Sequence, residues 1–121
     1  MAYVYVILPS LMTYSKTEDF SPADQELAQF ARALSHPARV AILRLLATRK
    51  TCISGDISRE LPLSRTTVSQ HLQELKKLGI IRGEVDGLHV CYCLDLKLLG
   101  GMTEKFLALF AEVTQDSGTG C

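Results

Sequence analysis

The sequence predicts a mainly α domain carrying one small β-hairpin, and three observations support that expectation. Apolar residues recur at helical spacing in four separate stretches. Asp86-Gly87 gives a hairpin signal between two β-prone runs, and the β-prone stretch Thr51 to Ile53 is short.

The first helix opens after Ser21 and Pro22, with Leu27, Phe30, Ala31 and Leu34 on one face, and His36-Pro37 stops it. Pro37 then starts a second helix, because its fixed φ is already helical. Val40, Ala41, Ile42, Leu43, Leu45, Leu46 and Ala47 make that helix apolar on nearly all sides, so it is expected to be the buried centre. After Thr51 to Ile53 comes a brief helix from about Gly55 to Leu61, ended by Pro62. Ser64 is suited to cap the next helix. From it Val68, Leu72 and Leu75 form a core stripe, while Arg65, Thr66, Ser69, Gln70, Gln73 and Lys77 fall outside.

Gly79 ends this helix, and Ile80 to Glu84 and Leu88 to Leu94 read as two strands joined through Asp86-Gly87. The last helix, Leu96 to about Val113, carries Leu99, Met102, Phe106, Leu109, Phe110 and Val113 at helical spacing; Gly100 and Gly101 weaken its start. Helix, helix, short helix, helix, hairpin, helix is the order of a winged helix-turn-helix domain.

A chain of 121 residues suits one domain, expected over 21–114, with a flexible tail at 115–121. Residues 1–20 read as an N-terminal extension, either flexible or lying partly upstream of a natural start at Met12. The apolar run at its beginning has no basic flank and is broken by Pro9, so neither a signal peptide nor a membrane span is expected. That places the protein in a reducing cytoplasm, where Cys52, Cys91, Cys93 and Cys121 serve as ligands or redox sensors more readily than as staples. Net charge is zero, yet Ser35 to Arg82 holds nine basic residues against three acidic ones. Such a basic centre attracts phosphate, because the field near a surface follows local charge.

Two stretches resemble the ArsR/SmtB family of bacterial repressors: Ala33-Leu34-Ser35-His36-Pro37-Ala38-Arg39-Val40-Ala41-Ile42-Leu43 and Leu63-Ser64-Arg65-Thr66-Thr67-Val68-Ser69-Gln70-His71-Leu72. The likeness covers roughly residues 25 to 113. It implies a DNA-binding repressor that dimerises through its first and last helices and reads an inverted repeat of duplex DNA.

The residues agree with that implication. A helix that enters the major groove needs short polar side chains near its N-terminus, and Arg65, Thr66, Ser69 and Gln70 meet the need. Gln70 suits adenine N6 and N7, Arg65 suits guanine or phosphate, and Ser64 with the helix amides suits a phosphate. Gln73 and Lys77 extend the face. His71 lies beside the core stripe and reads either as a DNA contact or as a packing histidine. On the wing, Gly87 and His89 are expected nearer the DNA than the acidic Asp86.

In the family's arsenic and cadmium sensors a C-x-C pair directly precedes an Asp. Matching that Asp to Asp56 puts Ile53 and Gly55 at the cysteine positions, so the pattern does not carry over; nor does the zinc pattern, since no histidine follows His89. Another set is available. Cys91 and Cys93 sit two apart on a strand and so share a face. Thr51-Cys52-Ile53 stands where winged-helix folds pair a short strand with the second wing strand. Cys52, Cys91 and Cys93 would then form a three-thiolate site for As(III) or another soft ion. Redox or persulfide switching, and plain packing of the thiols, remain open. A protein-interaction module on the same fold is the reading from another class. No glycine-rich phosphate loop, paired-carboxylate site or oriented nucleophile points to an enzyme.

Overall fold

The fold is that of a computed structural model, which describes residues 17–48, 53–54, 57–87, 89–115, 118 and 120. Four α-helices and a three-stranded antiparallel sheet follow in the expected order. They are α1 (Pro22–Ala33), α2 (Pro37–Thr48), β1 (Ile53–Ser54), a 3-10 turn (Ile57–Glu60), α3 (Arg65–Lys77), β2 (Ile81–Asp86), β3 (His89–Leu94) and α4 (Leu96–Val113). No helix among the described residues is long and apolar enough to cross a membrane.

Each helix starts where its sequence supplies an acceptor for orphan amides. The Ser21 hydroxyl accepts from the Asp24 amide at 3.1 Å, and Asp95 Oδ1 accepts from the Leu98 amide at 3.0 Å. The Asp95 cap settles where α4 begins despite Gly100 and Gly101, which lie inside the helix. The brief helix expected near Gly55 to Leu61 is a single 3-10 turn; Pro62 prevents a longer one, and Gly55 and Asp56 lie outside the described residues.

The core forms where α2, α3, the 3-10 turn and the sheet meet. Ile42, Ile57, Leu75, Ile80 and Ile81 are completely buried there. Gly79, at φ +77°, ends α3 in the left-handed region, which lets the Gly79 amide bond to Lys76 O and the Ile80 amide to Leu75 O. That closed end turns the chain directly into β2.

Strand β3 is central, in the order β1-β3-β2. Its partners across β1 are Ile53 to Tyr92 and Ser54 to Cys91. The expected pairing of the short early strand with the second wing strand is thus present. Asp86 pairs with His89, so β2 runs two residues further than the sequence reading gave and the turn holds Gly87, at φ +63°. The helices at the two ends of the domain, α1 and α4, pack together. Phe30 and Phe106 meet at 6.5 Å between ring centroids, and Lys105 pairs with Glu26.

Candidate nucleic-acid interface

Helix α3 presents one apolar and one polar face. Val68, Leu72 and Leu75 are buried, whereas Arg65, Thr66, Ser69, Gln70, Gln73 and Lys77 are exposed. Ser64 caps it: its hydroxyl accepts from the Thr67 amide at 3.2 Å and is 2.9 Å from Thr67 Oγ1. No acidic residue occupies the first turn, so the positive end of the helix is left uncompensated and attracts an anion. Near the other end, Lys77 pairs with Glu74 at 3.6 Å.

His71 departs from the outward-facing set. Only 9% of its surface is exposed, and its ring lies 4.5 Å from that of His36 between centroids, the two planes tilted by 46°. Its Nδ1 accepts from Arg39 Nε at 3.2 Å. The reason is register: at i+3 from Val68 and i−4 from Leu75, position 71 belongs to the buried stripe. Burial first, then His36 and Arg39, hold its pKa below the ordinary histidine value, so the ring is neutral and free to accept. His71 therefore packs within the domain, where Arg39 orients its ring.

Arg39 and His36 were not among the site residues that sequence patterning selected. Arg39 also donates through Nη1 to Arg32 O at 2.9 Å, and His36 Nδ1 accepts from the Ala38 amide at 3.0 Å. Together they tie α1, α2 and α3. The only signal was His36-Pro37-Ala38-Arg39 itself, which patterning reads merely as a helix start.

On the wing, Gly87 is exposed at the turn and His89 opens β3 opposite Asp86. The His89 side chain lies outside what the structure describes. Cys91 and Cys93 are free, half-buried thiols. Tyr92 and Leu94 between and beyond them pack on the core, so the two thiols share the opposite face of the strand. Across β2 they stand opposite exposed Glu84 and Arg82. Cys52 lies outside the described residues. Among the described residues no three His, Cys, Asp or Glu side chains converge to hold a metal ion. The thiol pair therefore fits a soft ion only as part of a larger ligand set.

Known proteins share this arrangement. A family profile described as a helix-turn-helix domain matches residues 34–84. The chain is 32% identical over 84 residues to the HTH-type transcriptional regulator Rv0081 of Mycobacterium tuberculosis, covering 67% of this chain and 74% of that one. The crystal structure of Rv0081 superposes with a TM-score of 0.57 at 30% identity, covering 77% and 96% of the two chains. The HTH-type transcriptional regulator CmtR of the same organism is 32% identical over 90 residues, covering 71% and 75%. The NMR structure of CmtR, described as a cadmium metal-sensor, gives a TM-score of 0.51 at 35% identity over 64% and 80% of the two chains. An ArsR-like transcriptional regulator from Rhodococcus sp. RHA1 gives 0.63 at 27% identity over 72% and 79%.

Proposed function

This chain belongs to the ArsR/SmtB family of winged helix-turn-helix transcriptional regulators, and we propose that it is a cytoplasmic repressor released from its operator by a soft metal or metalloid, arsenite first among them. The observation that carries the DNA half is the outer face of α3, polar and exposed along its length and led by an uncompensated helix N-terminus. Ser64 and the α3 amides hold a phosphate, Arg65 takes guanine or phosphate, and Gln70 pairs with adenine. Thr66, Ser69, Gln73 and Lys77 complete the contact, with Gly87 and His89 of the wing beside the backbone.

Binding as a homodimer follows from the end helices. Leu107, Phe110 and Val113 of α4 are each more than half exposed, an apolar strip that a second copy would cover. Two copies then present two α3 helices to the two halves of an inverted repeat.

The inducer half rests on the thiol pair. Cys91 and Cys93 face the same way on β3, and Cys52 directly precedes β1, the strand paired with β3. Three thiolates suit a trigonal soft ion. The cadmium-sensing relative supports a soft ion in general.

Fluorescence anisotropy of reduced protein on a duplex from its own upstream region, titrated with arsenite, tests both halves. Reversal near one arsenite per site is expected, together with its loss when Cys52, Cys91 or Cys93 is changed to serine. An arsenite response that persists in all three variants refutes the thiolate site. Tight binding that arsenite leaves untouched keeps the repressor and refutes arsenite as its signal.

A second reading, a redox or persulfide-responsive regulator, is supported by the partial exposure of the same two thiols. Strand geometry weighs against a disulfide inside the pair: residues two apart lie about 6.6–7 Å between α-carbons, at or past the usual disulfide limit of about 6.8 Å. The protein's mass after mild oxidation separates the readings, since ion binding adds no oxygen or sulfur.

A further inference from the structure

A groove of about 520 Å³ runs along the side of α3 that faces the α1–α2 joint. It shares Ser69, Gln70, Gln73 and Lys77 with the exposed face of α3, has His71 in its wall, and is lined on its other side by Arg32 and Arg39. Glu74 is the only carboxylate lining it, and that group is paired with Lys77. Three cations against one acid make the groove a local positive well in a chain of zero net charge.

Arg39 is fixed rather than mobile. Nε is spent on His71 and Nη1 on the Arg32 carbonyl, which leaves the Nη2 edge of a half-buried fork. A guanidinium held on two sides loses little further freedom when it binds an anion. Arg32, in the last turn of α1, is exposed beside it.

We propose that this groove seats a backbone phosphate of the operator, taken by Arg39 and Arg32, so that each protomer grips the duplex beyond the segment read by α3. The occupant follows from charge and from continuity, because the same α3 side chains border the groove and the recognition face. The seat rests on the proposed DNA-binding reading. It adds residues outside the recognition helix to the footprint and predicts a contact that reads no sequence.

The test is the salt dependence of operator binding by the full-length protein. Wild type, Arg32→Gln, Arg39→Lys and the control Arg44→Gln are titrated by anisotropy at several KCl concentrations. Arg44 is an exposed α2 residue that does not line the groove. Arg32→Gln keeps the carbonyl that Arg39 needs, and circular dichroism verifies folding. Each phosphate contact contributes about 0.9 to the slope of log K against log salt, so a dimer losing two contacts has a slope shallower by about 1.8. That loss is the upper bound for Arg32→Gln, because Arg39 still faces the same phosphate; a shallower slope within that bound is expected, equally on operator and unrelated duplex, with Arg44→Gln unchanged. Arg39→Lys, which keeps the charge but not the fork, should weaken binding with a smaller change in slope.

An unaltered slope and affinity in both Arg32→Gln and Arg39→Lys, while wild type binds with strong salt dependence, overturns the seat and leaves the DNA reading standing. An equal loss in Arg44→Gln overturns it too, by showing a diffuse charge effect. A wild-type protein that binds no duplex even at low salt overturns the DNA reading itself.

Discussion

Gly79 sets the angle at which the recognition helix passes into the wing, and replacing it with alanine tests that joint. At φ +77° a residue with a Cβ is in the left-handed region, which disfavours it by about 1–2 kcal/mol. The new Cβ would also come within 3.3 Å of Leu98 Cδ1, tighter than ordinary contact, although a leucine tip shifts easily. The sum is a loss of about 1–2 kcal/mol, and for a domain of this size each kcal/mol lowers Tm by roughly 4–8 °C. Asparagine visits the left-handed region more readily, so Gly79→Asn should recover part of the loss.

Gly100 provides the contrast. It lies inside α4 with nothing within 4 Å of an added Cβ, so Gly100→Ala should stabilise by up to about 1 kcal/mol. Urea melts at one fixed protein concentration measure all three variants, so that any self-association contributes equally to each. A Gly79→Ala protein as stable as wild type, or the order alanine above asparagine, would refute the left-handed turn as the element that joins α3 to β2.

Two further outcomes follow from the same geometry. His71 is held below the ordinary histidine pKa by burial, by His36 from the loop before α2 and by Arg39 from α2, so between that lowered value and about 6.5 the unfolded chain binds the extra proton. Stability from the neutral ring is therefore present above about pH 6.5 and lost as pH falls; thermal melts from pH 8 to pH 5 should show the decline, flattened in His71→Asn, and an identical decline in that variant counts against the buried His71 ring as its source. Phe110 is 57% exposed on α4, and Phe110→Glu should convert a dimer to a folded monomer in sedimentation equilibrium, whereas an unchanged dimer would place the interface elsewhere.

Most of the architecture was legible because periodicity and punctuation agreed. Pro37, Pro62, Ser64 and Gly79 each fall where an element starts or stops, and the apolar stripe of α3 marks its buried face. What patterning left out depends on long-range geometry. His71 sits at the edge of its stripe, and only the packing of α2 against α3, which brings Arg39 to its Nδ1 across 32 residues of chain, settles which way it turns. The hairpin was placed correctly but its first strand was ended two residues early, since Asp86-Gly87 is a strong turn signal by composition while the ladder carries pairing on to Asp86 and His89. The same-face relation of Cys91 and Cys93 needed only the two-residue period of a strand. What their ring of partners is beyond Glu84 and Arg82 depends on Cys52, outside the described residues.

An ion on the outer face of β3 must act on α3 through the strand itself, because the thiols and the recognition helix stand on opposite sides of the sheet. The residue between the two thiols supplies the route. Tyr92 packs on the core face, and at Gly83, its partner on β2, an added Cβ would lie 3.2 Å from Tyr92 Cε1 and 3.6 Å from Lys76 Nζ. The ring therefore lies over β2 within reach of the last turn of α3. Drawing Cys91 and Cys93 together around an ion would change the pleat at Tyr92, and the contacts of its ring with the core would carry that change toward α3. The ion lowers operator affinity only to the extent that it binds the displaced strand more tightly than the resting one. An inducer bound as proposed on β3 would thus act by biasing the wing–α3 joint that Gly79 closes, and would leave the base-reading side chains themselves untouched.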